Sequence, residues 1–229
     1  MTESMHTDPD LARGIWAGDK AKVEDARAKF LANPKGQMSA WISTLYSFRR
    51  YKECADELVG MFPVVLDHTE RLDRILSSPI VNQKAADRAN VAASVLLWLS
   101  RQDMPLQPTQ RAWLWADKIA TTGLRVADYT PGEHTPALLA LNKADSLASF
   151  EPVKPGSRRL SRAYLRLAWA LAPFVKDQNQ CVRVWKGLGW AYLSRWNPLG
   201  LWFLLRAVGA ALEKGVPSDV LRKVFSLRG

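Results

Sequence analysis

The sequence predicts an all-α protein built of antiparallel helical hairpins, about ten to twelve helices in all. Three observations point there. Apolar residues recur at helical rather than alternating spacing, Pro, Gly and Asn punctuate the chain at helix-sized intervals, and the connections between them are short. At 229 residues, with 48% hydrophobic and 24% charged positions, the chain is long enough for a substantial core and too apolar for general disorder.

Residues 1–10 are polar and acidic, lack the basic and apolar regions of a signal peptide, and are expected to form a flexible tail. A short helix over 8–17 and a second over 20–32 follow, the latter stopped by Asn33-Pro34-Lys35-Gly36. Helices over 37–50 and 51–61 make a pair that ends at Pro63. A short helix over 68–77 stops before Pro79, and a long one over 83–101 carries Val91, Ala92, Val95, Leu96 and Trp98 on one face. Next come helices over 109–126 and 137–150, separated by the turn cluster 130–136 with Pro131, Gly132 and Pro136.

The loop 151–157 interrupts the pattern and coincides with a change of charge. Helices over 158–172, 179–195, 199–214 and 218–226 complete the chain. The expected organisation is thus a tail (1–10), a near-neutral helical scaffold (11–150) and a basic, Trp-rich subdomain (158–229), together one continuous domain.

Charge is strongly polarised. From Lys154 onward lie 14 of the 32 basic residues but only 3 of the 22 acids, a net of +11, whereas the preceding 153 residues sum to −1. A field of that size concentrates anions near the surface that carries it. Five of the ten tryptophans fall in the same third: Trp169, Trp185, Trp190, Trp196 and Trp202. Cations interleaved with aromatic rings suit a nucleic acid, with its charged backbone and stackable bases, and also an anionic membrane surface or an acidic protein.

At 100° per residue, Leu160, Ala163, Tyr164, Leu167 and Leu171 make the expected core face of helix 158–172. Arg158, Arg162 and Arg166 line the opposite side, with Arg159 beside them and Trp169 on the same side. In the next helix Arg183, Lys186 and Trp190 cluster away from an apolar side of Trp185, Leu188, Ala191 and Tyr192. Trp202 and Arg206 are i, i+4 neighbours in the helix after that. Ser157 is placed to cap helix 158–172, where free N–H groups near Lys154 would favour a phosphate. The candidate nucleic-acid site is therefore Lys154, Arg158, Arg159, Arg162, Arg166, Trp169, Arg183, Lys186, Trp190 and Arg206. Arg158-Arg159-Leu160-Ser161 also has the form of a basophilic kinase site.

Trp185, Leu188, Gly189 and Tyr192 stand at the W-x2-L-G-x2-Y spacing and resemble the first helix of a tetratricopeptide repeat. The segment through Trp41, Tyr46, Tyr51 and Leu58 resembles a looser version of the same hairpin. Together they cover about 70 residues. Leu201 stands where the family has a small residue, and Glu213 near its closing Pro. The resemblance implies stacked helical hairpins, such as a short solenoid with a concave groove, and no chemistry. Trp185, Leu188 and Tyr192 would then be core, and Gly189 would permit close approach of helices.

Signals of catalysis are sparse. His6, His68 and His134 are scattered, and no Gly-rich phosphate loop, H-E-x-x-H or G-x-S-x-G is present. The cluster Asp67-His68-Thr69-Glu70 reads as a capping box, with Asp67 as N-cap, rather than a metal site. Cys54 and Cys181 alone make a disulfide framework improbable and a reducing, cytoplasmic setting the expectation, both acting as small buried hydrophobes. The stretch 196–212 is about 17 residues long, opens with Asn197-Pro198 and contains Arg206, so no membrane span is expected.

No catalysis, metal or cofactor is expected. The leading expectation is binding of nucleic acid, single-stranded RNA or DNA above duplex, with little sequence preference, as in nucleoproteins. The alternative is a tetratricopeptide-like adaptor for an acidic protein partner, and the near-neutral scaffold offers a surface for self-association.

Overall fold

The computed structural model describes residues 9–76, 80–149 and 156–212, with side chains from residue 19 onward. The described residues contain ten α-helices and one 3-10 turn and no strand, with helices packed as neighbouring pairs. The all-α hairpin architecture expected from the periodicity is the one observed. The chain divides into two compact units, residues 1–64 and 65–229.

The first unit holds α1 (Pro9–Ala32), α2 (Pro34–Ser47) and α3 (Lys52–Gly60). The two helices expected over 8–17 and 20–32 are one, running through Gly18. Past that glycine, Asp19 is held by Arg50 and by the Tyr51 hydroxyl, which donates at 2.8 Å, so tertiary contact outweighs the local breaker. The Asn33-Pro34 stop is also a start. The Asn33 side chain caps α2 by accepting from the Gly36 N–H at 3.1 Å, and Pro34 occupies the first turn, where its missing N–H is no loss. Phe30 stacks on the buried Trp41 at 5.8 Å, fastening α1 to α2.

Helix α4 spans Phe62–Ile75, beginning three residues before the second unit, and so starts six residues earlier than expected. Pro63 sits in its first turn. Asp67 is consequently inside the helix, paired with Arg71 at 2.7 Å, and is not the N-cap of a capping box. Next come α5 (Gln83–Leu99), capped by Asn82, α6 (Leu106–Val126) and α7 (Thr135–Ser149). Small residues permit their close packing, with Ala86, Ala89 and Ala93 of α5 and Ala137, Ala140 and Ala144 of α7 all fully buried. Where polar groups enter this core they are matched. Asp73 accepts from Thr122 at 2.7 Å and pairs with Lys118 at 2.8 Å, and Lys143 pairs with Asp117 at 2.6 Å.

The chain ends its described part with α8 (Ser157–Leu171), a 3-10 turn (Ala172–Phe174), α9 (Gln178–Leu193) and α10 (Leu199–Leu212). Helix α8 packs on α7, and α9 pairs with α10. The helix expected over 218–226 lies outside the described residues.

The buried face of α8 differs from the expected one. Ser157, Ser161, Leu165, Ala168 and Ala172 point inward, whereas Leu160 is 53% exposed and Ala163 is also exposed. Ser161 explains the rotation. Its hydroxyl donates to the Ala144 carbonyl of α7 at 2.6 Å and accepts from Arg195 at 2.9 Å. A hydroxyl satisfied this way fits a close helix contact better than a leucine would. Ser157 is likewise buried as the first residue of α8. The N-cap is Gly156, at φ 89°, so Ser157 is not the cap that the sequence suggested.

Candidate nucleic-acid interface

Between Gly156 and Leu212 the sequence has nine basic residues and a single acid, Asp177. Asp177 is spent on structure, capping α9 by accepting from the Gln180 N–H at 2.9 Å. The positive field of this segment is therefore almost uncompensated from within.

The arginines of α8 stand where the periodicity put them. Arg158, Arg159, Arg162 and Arg166 are all exposed, and among the described residues no ion pair engages Arg159, Arg162 or Arg166. Arg166 and Arg195 lie near Tyr192. Burial pushes the Tyr192 hydroxyl above its usual range, and the two guanidiniums pull it partly back.

Three helices bring their tryptophans together. Trp169 of α8, Trp185 of α9 and Trp202 of α10 gather around the fully buried Phe203, at 5.2, 5.9 and 5.1 Å from its ring. Trp169 meets Trp202 edge-on at 6.4 Å, and Trp202 meets Trp185 at 6.0 Å. Trp185 is core, as its place in the hairpin implied. Trp169 and Trp202 are only partly covered, at 38% and 40% exposure. These rings open on a groove of about 750 Å³, also lined by Cys181 and Pro173. On its rim the Arg206 guanidinium lies 5.0 Å over the Trp202 ring, a cation–π contact that leaves the charge exposed.

The groove depends on a close crossing of α9 and α10. Gly189 and Gly200 face each other there. A Cβ on Gly200 would come within 2.6 Å of the Gly189 carbonyl, and one on Gly189 within 2.6 Å of Leu204. Gly200 is the stricter of the two, because its added Cβ would meet backbone, whereas one on Gly189 would first meet the Leu204 side chain.

Not all expected site residues converge. Trp169 and Arg206 meet at the groove, and the α8 arginines continue outward from the same helix. Arg183, Lys186 and Trp190 sit on the side of α9 turned away from Trp185 and do not line it. Trp190 is half-buried, and Arg183 is exposed with its guanidinium donating to Gln180 at 3.1 Å. Lys154 lies outside the described residues. Trp202 was visible in the sequence only as a neighbour of Arg206, and its role as a groove wall was missed. Cys181 is half-buried in the same groove, not a fully buried hydrophobe, whereas Cys54 is buried.

Ser161, in the kinase-like sequence, is 1% exposed and hydrogen-bonded on both sides, so the folded protein offers no hydroxyl there. Among the described residues no three metal-ligating side chains converge, and no helix is long and apolar enough to cross a membrane. No family model, curated protein or solved structure matches the chain.

Proposed function

We propose that the protein is a non-catalytic nucleic-acid-binding protein of the cytoplasm, using the arginines of α8 and the aromatic groove between α8, α9 and α10. The observation that carries this reading is the pairing of two partly exposed indoles, Trp169 and Trp202, with Arg206 at one groove, while the helix that supplies Trp169 also carries exposed Arg158, Arg159, Arg162 and Arg166. Guanidiniums would neutralise phosphates in any sequence, and a splayed base would stack on an indole face, worth about 1–3 kcal/mol per base. Single strands expose such bases and duplexes do not, so the arrangement favours single-stranded RNA or DNA with little sequence preference.

The test is fluorescence anisotropy with labelled single-stranded RNA, single-stranded DNA and duplex. Trp169→Ala and Trp202→Ala should each weaken single-strand binding by about tenfold while changing duplex binding little. Equal losses on single strand and duplex would remove stacking from the account.

A second reading draws on the Gly189–Gly200 crossing, which fits the role that the tetratricopeptide-like motif gives its glycine. On that reading the same basic groove takes an acidic peptide, and purified protein would carry a specific polypeptide instead of nuclease-sensitive ultraviolet absorbance.

A further inference from the structure

Helices α5, α7 and α9 are the first members of three successive pairs, and they pack side by side as a layer. Bonds along α5 and α7 set their register. Thr135 of α7 donates to Asp87 of α5, the Asn142 amide donates to the Asn90 carbonyl at 3.3 Å and to Ser94 at 3.0 Å, and Arg101 pairs with Asp145. On its other flank α7 sets Leu141 against Gly187 of α9, where an added Cβ would meet it at 2.8 Å, and Arg195 reaches the Ala144 carbonyl at 3.4 Å. Residue numbers rise together across these contacts, so the three helices run the same way. Helix α7 lies lowest. All fifteen of its residues are buried or half-buried, even Leu141, Asn142, Asp145, Ala148 and Ser149, which share the side turned from the core. Shielding along a whole outward side means that the neighbours rise above it. That side is a trough, with α7 as floor and α5 and α9 as walls.

The walls carry aromatic rings and a charge. Trp98 of α5 stands about 40° around its helix from Ser94, and Arg183 and Trp190 of α9 stand about 40° and 60° from Gly187. Both indoles are half-buried, whereas Arg183 is exposed and makes no ion pair among the described residues. In the floor, Asn142 is held in one orientation. The Asn90 backbone carbonyl can only accept, so the Asn142 NH2 group must face α5. Its Oδ1 is thereby turned from α5, and no donor among the described residues reaches it. A fixed, half-buried acceptor of this kind calls for a donor from outside the chain.

We infer that this trough binds an extended polypeptide segment of a partner protein, which lies along α7, donates a backbone N–H to Asn142 Oδ1 and sets a carboxylate on Arg183. Width and charge select this occupant. Packed helix axes stand about 8–10 Å apart, so α5 and α9 are at most about 20 Å apart across α7. Each wall, with its side chains, fills about 5–6 Å of that span. The remainder admits one extended chain, but not a helix about 10–12 Å thick. Helix α7 is about 22 Å long, which matches a segment of about six or seven extended residues. A single strand of nucleic acid would fit the width and not the charge. Asp87 and Asp145 lie on the α5 side, where Arg101 is already paired, and they would repel a row of phosphates. A polypeptide instead offers an N–H at almost every residue and only the charges of its side chains. Asn142, Arg183, Trp98 and Trp190 do not line the aromatic groove, so the inference stands apart from the nucleic-acid reading.

The experiment is selection of a phage-displayed library of random dodecapeptides on the full chain, followed by fluorescence anisotropy with the labelled enriched peptides. These should share an acidic residue and bind one to one. Methylating their backbone nitrogens one at a time should abolish binding at the position whose N–H meets Asn142. Arg183→Glu, and Ala148→Arg in the floor, should each weaken peptide binding by about tenfold or more. Arg183 is exposed, so its variant should melt like wild type, which separates docking from misfolding. Single-strand RNA should not displace the peptide, and Trp202→Ala should leave it bound. A library that yields no specific peptide would overturn the inference, as would peptides whose affinity Arg183→Glu and Ala148→Arg leave unchanged. Peptides displaced by RNA and lost with Trp202→Ala would belong to the aromatic groove and equally overturn it.

Discussion

One methyl group at the α9–α10 crossing should both loosen the fold and spoil the groove. In Gly200→Ala the new Cβ would stand 2.6 Å from the Gly189 carbonyl oxygen, 2.7 Å from the Leu193 nitrogen and 2.5 Å from Leu193 Cγ. Ordinary contact begins near 3.4 Å, so α10 must retreat by about 0.8 Å, and two of the three obstacles are backbone that cannot swing aside. Overpacking of this kind costs about 1–3 kcal/mol, and the helix-propensity gain from Ala, at most about 1 kcal/mol, offsets part of it. Taking the middle of each range leaves a net loss of about 1.5 kcal/mol, a fall in Tm of about 3–6 °C for a unit of this size. Gly209→Ala is the control. Outside the neighbouring backbone of its own helix no atom lies within 4 Å of its added Cβ, so it should gain about 0.5–1 kcal/mol. The assay is thermal unfolding followed by circular dichroism, with single-strand RNA binding measured on the same samples. Retreat of α10 also separates Trp202 from Trp185, now 6.0 Å apart, so affinity should fall with stability. A Gly200→Ala protein as stable as wild type would refute the close crossing and the groove built on it.

Three further outcomes are expected. Ser161→Ala removes the hydroxyl shared by the Ala144 carbonyl and Arg195 and should cost about 1 kcal/mol in denaturant unfolding, while a basophilic kinase should leave native wild type unmodified at Ser161. Burial first, then the positive charges of Arg88 and Arg71, hold the His68 pKa below its usual value. The unfolded chain therefore binds a proton that the native protein refuses, and stability should decline as pH falls from about 7 through the ordinary histidine value near 6.5. Melting temperatures of wild type and His68→Gln across that window check the sign: the variant should show the shallower dependence. Trp169→Phe should retain more single-strand affinity than Trp169→Ala, because a smaller ring still offers a stacking face, and equal losses would argue for an indole-specific contact instead.

The helices were legible because each announces itself locally. Asn33, Asn82 and Asp177 cap helices where the punctuation suggested boundaries, and apolar spacing located α5, α6, α9 and α10 within a few residues. Errors arose where a long-range contact decided a local question. Gly18 looked like a break, but α1 passes through it toward the Asp19 contacts with Arg50 and Tyr51. The Asp67–Glu70 pattern looked like a helix start, but Pro63 had already opened α4 one turn and a half upstream.

On α8, hydropathy favoured burying Leu160, whereas the packing against α7 selected Ser161, whose hydroxyl finds a carbonyl that no sequence pattern announces. The arginine stripe was legible because exposure on one helix follows from periodicity alone. The groove was not, since Trp169, Trp185 and Trp202 belong to three helices and meet only because Gly189 and Gly200 let α9 and α10 approach. The same geometry turned Arg183, Lys186 and Trp190 away from it.

The most direct test of the nucleic-acid reading is the salt dependence of single-strand RNA binding, compared between wild type and the triple variant Arg158→Ala, Arg162→Ala, Arg166→Ala. Three lost phosphate contacts, at about 0.7 per contact on a single strand, should lower the log–log slope by about 2 and weaken binding most at low salt. An unchanged affinity and slope would contradict the assignment of α8 as the phosphate-binding face.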